Sequence, residues 1–259
     1  MNDDLVSFKM LVVSEAASDR DVLRRAVAEA AFSIDYAEVA DPGDAAAICK
    51  LVAQDGLDFV FVDSKIPKAD RQAMYDVAQS LSGRPLVIFV GPAILKTREV
   101  MSDGVAADGV LAKPLDVTEA VAIIGVCVRA RLTKQVLVVD DSATTRSIIR
   151  KLLQASRFHL RVTEAEDGAS AIELASKQRF DVVFLDCYMP GRDGFATLET
   201  LKRDHADIQV VMITGTKDYR IEDRARAGGA KEFLFKPFFA KGIDGILYRL
   251  FGLIGPKTI

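Results

Sequence analysis

Phe180-Asp-Val-Val-Phe-Leu-Asp186 is a strand-sized apolar run that ends on an acid, and Leu57-Asp-Phe-Val-Phe-Val-Asp63 repeats it at an offset of 123 residues. Two further pairs of segments flank these. Lys9-Met-Leu-Val-Val-Ser-Glu15 matches Gln135-Val-Leu-Val-Val-Asp-Asp141 at an offset of 126, and Lys113-Pro114 matches Lys236-Pro237 at 123. The difference of three is a short loop insertion. A period this long is a duplication of whole domains, not a solenoid, whose repeats run to about 20–50 residues. The 259 residues therefore divide into two domains, 1–133 and 134–259.

Each half alternates strand and helix. In the second, apolar runs predict strands at 136–139, 160–163, 182–185, 210–213 and 232–235. Helical spacing predicts helices at 144–156, 168–177, 193–203, 219–227 and 239–252. The first half has the same order. Five strands alternating with helices give a parallel sheet covered on both faces through right-handed crossovers. The fold class is α/β, two doubly wound parallel-sheet domains in tandem. A helix over Thr118–Leu132 joins them with no Pro/Gly/Ser-rich spacer, so a fairly rigid connection is expected.

Composition excludes several classes. Half of the residues are hydrophobic and 27% are charged, so the chain can bury a core. No run approaches the roughly 18 apolar residues of a membrane span, and Met-Asn-Asp-Asp at the start is acidic where a secretory signal is basic. A cytoplasmic location is expected. The net charge is −3. Up to Leu132 there are 14 basic against 20 acidic residues, and beyond it 20 against 17. Neither half has the dense basic stripe of a nucleic-acid binder. Cys49, Cys127 and Cys187 lie in or beside apolar stretches and read as buried thiols. His159 and His205 have no partner at metal-ligand spacing, which argues against zinc or a Ser-His-Asp triad.

In open parallel sheets, ligands bind at the carboxyl ends of the strands. Asp140 and Asp141 follow the first strand of the second half, and Asp186 ends the third, so the three converge. Two carboxylates about 5 Å apart repel by roughly 3 kcal/mol at an effective dielectric near 20, so a cation or a proton is called for. An all-oxygen site suits Mg²⁺. Lys236 ends the fifth strand and Thr214 the fourth. A metal, a carboxylate nucleophile, an ammonium and a hydroxyl together suit phosphoryl transfer to an aspartate. Any one of these residues alone reads as a cap, a solvated lysine or an ordinary strand residue.

On the acidic pair, Asp186-Cys-Tyr-Met-Pro-Gly-Arg-Asp-Gly194, Thr214-Gly215 and Gly229-Ala-Lys-Glu-Phe-Leu-Phe-Lys-Pro-Phe238, the second half resembles the receiver domain of bacterial two-component response regulators. The resemblance covers essentially the whole half. It implies the flavodoxin-like strand order 2-1-3-4-5, for which the single-domain chemotaxis regulator is an example. It also implies that Asp186 is the phosphoacceptor and that Asp141, Asp186 and the backbone carbonyl of Tyr188 ligate Mg²⁺, with Asp140 acting through water. Lys236 then contacts the phosphoryl group, Thr214 moves toward it, Phe233 is the switch aromatic, and the Lys236–Pro237 bond is cis.

By the same resemblance the first half is a degenerate receiver. It keeps Asp63, Ile66-Pro67 and Lys113-Pro114. Ser14 and Glu15 replace the acidic pair, Val90 the switch threonine, Val110 the switch aromatic and Arg71 the glycine at 194. The alternative is that Glu15 and Asp63 still hold a metal and Asp63 is weakly phosphorylated.

The function expected is that of a response regulator with no output domain. Asp186 takes a phosphoryl group from a histidine kinase or a phosphotransfer protein. The chain then signals through a downstream target or self-association at the fourth helix, fifth strand and fifth helix of the second half. There Phe239, Tyr248 and Phe251 are candidates for an outward apolar strip. The first half serves as a scaffold or docking module. The alternative is a phosphorelay intermediate or phosphate sink. No enzyme activity is expected beyond Mg²⁺-dependent self-phosphorylation and autodephosphorylation. A dehalogenase-type phosphatase needs an acid where Tyr188 stands. A flavin carrier would place a phosphate at Ser142-Ala-Thr-Thr145, beside two acids that repel it.

Overall fold

The computed structural model describes residues 7–41, 45–53, 56–81, 83–92, 106–190 and 193–253. The chain forms two compact units, one of residues up to Arg131 together with those from Phe251 onward, the other Leu132–Leu250. The sequence boundary at 133/134 thus lies two residues from the division. The last residues go with the first unit, where the buried Leu253 lies 4.0 Å from the Cβ position of Gly109.

The first unit runs β1 (Phe8–Val13), α1 (Ala17–Glu29), β2 (Ile34–Val39), α2 (Ala45–Val52), β3 (Phe59–Asp63), α3 (Lys68–Ser80), β4 (Leu86–Pro92), β5 (Gly109–Lys113) and α4 (Val117–Arg131). Its sheet has the order β2-β1-β3-β4-β5, all parallel. A helix between β4 and β5, expected from the shared order, falls on residues 93–105, outside the described residues.

The second unit runs β6 (Lys134–Val139), α5 (Ala143–Gln154), β7 (Leu160–Ala165), α6 (Gly168–Lys177), β8 (Val182–Asp186), α7 (Gly194–Asp204), β9 (Gln209–Thr214), α8 (Tyr219–Ala227), β10 (Ala230–Phe235) and α9 (Ala240–Leu250). The order is β7-β6-β8-β9-β10, again parallel. Both sheets have the flavodoxin-like order.

The sequence forms these elements for local reasons. The central strands β3 and β8 are buried along their whole length, as continuous apolar runs in a doubly covered sheet must be. The aspartate that opens each run pins register: Asp58 Oδ2 accepts from the Lys9 N–H (2.9 Å) and Asp181 Oδ2 from the Gln135 N–H (2.7 Å). Helices begin on side-chain caps at Ser142, Asp167, Asp193 and Asp218. In the first unit α1 packs on α4 and α2 on α3; in the second α6 packs on α7 and α5 on α9.

The expected apolar strip on the last helix needs correcting. Tyr248 is 4% exposed: its hydroxyl accepts from Arg157 Nη1 at 2.6 Å, and its ring meets Phe158 edge-on. An aromatic with a polar tip buries readily once that tip has a partner. Phe239 is exposed, whereas Phe251 is half-buried and belongs to the first unit. No helix of the described residues is long and apolar enough to cross a membrane.

Candidate functional site

At the carboxyl edge of the second sheet, β6 delivers Asp140 and Asp141, β8 delivers Asp186, and β10 leads into Lys236. The three acids offer ligand oxygens that lie within 4.8 Å of one another, with Asp140 and Asp186 buried and Asp141 exposed. Lys236 Nζ lies 3.1 Å from Asp140 Oδ2 and 3.3 Å from Asp186 Oδ1. Asp140 Oδ1 accepts from the Ser142 N–H. Among the described residues, Asp186 Oδ2 has no hydrogen-bond partner. Burial pushes the Asp186 carboxyl above its usual range; Lys236 opposes this, and Asp140 and Asp141 add to it. For Lys236, burial works downward, but Asp140 and Asp186 outweigh it and hold the ammonium above the usual lysine value.

Thr214 is buried, and its hydroxyl accepts from the Thr216 N–H at 3.2 Å. It follows Ile213, the β9 partner of Asp186, and no heavy atom lies within 4 Å of the Cβ position of Gly215. Tyr188, in the turn after β8, is 59% exposed. Phe233 is already buried, stacked on Phe235, with the Arg226 guanidinium over its ring. Gly194 is required sterically, since a Cβ there would lie 2.0 Å from the Asp186 carbonyl oxygen. Its neighbours Gly191 and Arg192 fall outside the described residues. Cys187 is buried, and that burial pushes its thiol up to about 12. Cys127 is buried too, and Cys49 half-buried; all three are free.

The first sheet builds the same corner from other groups. Asp63 Oδ2 receives Lys113 Nζ at 2.8 Å and the Ser14 hydroxyl at 3.1 Å, while Oδ1 receives the Lys65 N–H. Lys113 Nζ also lies 2.5 Å from Asp19 Oδ2 on α1. Burial works to raise the Asp63 carboxyl, but Lys113, the Lys65 N–H and Ser14 overcome it and hold it below its usual range. Its direction is therefore opposite to that of Asp186. Glu15 is exposed, and among the described residues no second group of three metal-capable side chains forms.

The strand register corrects one correspondence. Asp186 pairs with Ile213 and Asp63 with Val90, so Val90 matches Ile213, and the residue in place of Thr214 is Gly91. The hydroxyl is still missing, now for want of any side chain. Val110 opposite Phe89 does match Phe233 opposite Met212. Arg71 lies on the fourth residue of α3, whereas Gly194 opens α7, because α3 begins directly after Pro67. Both Lys–Pro bonds are cis.

Sequence reasoning passed over Asp19, whose partner across the repeat is Thr145. It also passed over Arg146, whose Nη1 donates to the Asp140 carbonyl at 2.7 Å while Nε reaches Glu164. The signal for the second was present in the sequence: Arg20 and Glu38 stand at the same offset of 126.

The sequence pattern of the response regulator receiver domain matches residues 136–246. Over 109 residues the chain is 34% identical to the chemotaxis protein CheY of Bacillus subtilis, a stretch that takes in 42% of this chain and 90% of that protein. The chain belongs to the response regulator receiver family. The heme response regulator HssR of Staphylococcus aureus is 36% identical over 107 residues, which is 41% of this receiver chain and 46% of HssR. A solved "probable two-component system response regulator/GGDEF domain protein" shares the fold over 95% of this chain and 98% of its own, with a TM-score of 0.53 at 21% identity.

Proposed function

We propose that the second receiver unit accepts a phosphoryl group on Asp186 and that the first, residues 1–133, is a degenerate copy serving as scaffold or docking module. The supporting observation is the contrast between the two matched aspartates. Both oxygens of Asp63 are engaged by a cation or an N–H, whereas among the described residues Asp186 Oδ2 has no partner and Oδ1 meets one lysine. In the transfer, that oxygen attacks phosphorus, the bond from phosphorus to the donor's leaving atom breaks, and the leaving group departs with its electron pair. Lys236 neutralises charge on the phosphoryl oxygens, and the Thr214 hydroxyl turns from Thr216 to donate to one of them.

Three carboxylates against one ammonium fit a small, hard dication. Mg²⁺ held by Asp141, Asp186 and the Tyr188 carbonyl, with Asp140 through water, would supply further neutralisation of phosphoryl charge. The donor in this reading is a histidine kinase or a phosphotransfer protein. The output is a protein contact at α8, β10 and α9, with phosphorelay transfer as the second reading. The chain's own catalysis is confined to its self-phosphorylation and autodephosphorylation.

Incubation of the full chain with acetyl phosphate and Mg²⁺ tests the assignment. The parent takes up one phosphoryl group, Asp63→Asn does the same, and Asp186→Asn takes up none. Labelling of Asp186→Asn at the parental level overturns it.

A further inference from the structure

One arrangement recurs in both units at a constant offset. In the second, Arg146 Nη1 donates to the Asp140 carbonyl (2.7 Å), Arg146 Nε to Glu164 Oε2 (3.2 Å), and Arg150 Nε lies 3.3 Å from Glu164 Oε1. In the first, Arg20 Nη1 donates to the carbonyls of Ser14 (2.7 Å) and Glu15 (2.8 Å), Arg20 Nε lies 3.5 Å from Glu38, and Arg24 pairs with Glu38 at 2.7 Å. Each of the three residues is displaced by 126. In both copies the first arginine is 14% exposed. The copies differ in detail, since Arg20 holds two successive carbonyls, at Ser14 and Glu15, where Arg146 holds only that of Asp140, and Glu38 also accepts from the Tyr36 hydroxyl. The larger difference is that the held carbonyl leads into Asp141 in the second unit and into Glu15 in the first.

On the reading that Asp140, Asp141 and Asp186 hold Mg²⁺, we infer that Arg146 is a positioning residue for the acidic pair, bracing the peptide between its two members against Glu164 on β7. A peptide unit is planar, so fixing the Asp140 carbonyl fixes the plane that leads into Cα of Asp141. Asp140 has its own restraints in Lys236 and the Ser142 N–H. Asp141 is exposed and makes no hydrogen bond among the described residues, so its direction depends on the backbone that Arg146 holds. Groups that orient a ligand without touching the metal commonly alter affinity by 10–100-fold when removed.

Coulomb's law gives the test its sign. Arg146 is a cation near a cation site, so its removal by electrostatics alone tightens Mg²⁺ binding; loss of positioning weakens it. The experiment is a Mg²⁺ titration of the full chain followed by amide chemical shifts, with thermal unfolding in parallel, for the parent, Arg146→Met, Arg146→Lys and Arg20→Met. The expected result is Mg²⁺ affinity about ten-fold weaker in Arg146→Met and unchanged in Arg20→Met, although both variants lose stability to a similar degree. Arg146→Lys keeps the charge but reaches only one of the two partners. It falls between parent and Arg146→Met, and it decides the matter should the methionine variant not fold. If the parent shows no saturable Mg²⁺ response, the metal reading itself fails and this inference fails with it. If the parent binds and the Arg146 variants bind as tightly or more tightly, the clamp alone is refuted.

Discussion

Replacing Asp186 by asparagine should stabilise the metal-free second unit. The side chain is 7% exposed and shares its corner with two other acids whose oxygens lie within 4.8 Å. At an effective dielectric near 20, each such pair repels by about 3.5 kcal/mol. Among the described residues the one compensating cation is Lys236, at 3.3 Å, which attracts by about 5 kcal/mol on the same scale. Two repulsions exceed one attraction by about 2 kcal/mol, and desolvation adds to the deficit, in agreement with a carboxyl held above its usual range. Asparagine keeps the shape and removes the charge. The variant should therefore unfold at a midpoint roughly 8 °C or more above the parent in chelator. The pH dependence carries the same sign. An acid whose folded pKa is raised weakens the fold as pH rises through that value, so the advantage is full near neutrality and vanishes below the ordinary aspartate value of 3.8. Mg²⁺ at ten times its dissociation constant stabilises the parent by about 1.4 kcal/mol and the variant by less, which narrows the gap. Thermal unfolding at pH 7 and pH 3.5, with and without Mg²⁺, measures all of this. An Asp186→Asn chain no more stable than the parent in chelator at pH 7 refutes the reasoning.

In the first unit, Lys113→Met leaves the buried Asp19 and Asp63 without their shared cation and should cost about 3–5 kcal/mol in that unit's unfolding transition. Asp63 itself is held below its usual range. Its contribution is therefore present above the ordinary value of 3.8 and lost as pH falls through the folded value; Asp63→Asn should flatten the acid limb of that transition, which a pH series of unfolding midpoints reads directly. Gly194→Ala places a methyl 2.0 Å from the Asp186 carbonyl oxygen, so the turn after β8 must shift. A stability loss of about 1–3 kcal/mol with slower acetyl phosphate labelling is expected, and unchanged labelling would mean that the turn moves without disturbing Asp186.

Both sheets were legible because their signals are local. Continuous apolar runs bounded by acids mark buried parallel strands, and the helices over 168–177 and 219–227 carry their caps and apolar spacing in sequence. The convergence of Asp140, Asp141, Asp186 and Lys236 was legible for a topological reason: strand ends at a switch point meet whatever the side chains are. The misreadings lie where a one-residue shift or a distant partner decides. Val90 and Gly91 are adjacent small residues, and only the pairing of Asp63 with Val90 shows which of them replaces Thr214. Tyr248 looks amphipathic on its helix, but its burial depends on Arg157, 91 positions away. Asp19 reads as an ordinary first-turn helix acid until the fold brings Lys113 to it.

The two corners are alternative answers to one electrostatic problem. The fold brings the ends of the first, third and fifth strands together and sets a lysine beside an aspartate. In the second unit, two more acids leave the cluster of three carboxylates and Lys236 two charges negative, which raises Asp186 and, among the described residues, leaves its Oδ2 without a partner. In the first unit, Ser14 removes one of those acids and donates a hydrogen bond instead, Glu15 lies exposed to solvent, and Asp19 enters from the helix to take up the lysine's remaining capacity. The result is a set of ion pairs that lowers Asp63 and engages both of its oxygens. Satisfying the site internally and keeping it reactive toward an incoming phosphoryl group are opposed demands. On this argument Asp63 and Lys113 survive in the first unit because, with Asp19, they form a structural bridge from β3 and β5 to α1. Restoring chemistry there would require undoing that bridge: Ser14→Asp and Glu15→Asp alone would add charge to a closed cluster and lower its stability, whereas adding Asp19→Thr would release Lys113. In an Asp186→Asn background, Mg²⁺-dependent labelling should therefore follow the triple change and not the double. Labelling by the double variant would show that the bridge to Asp19 is no obstacle.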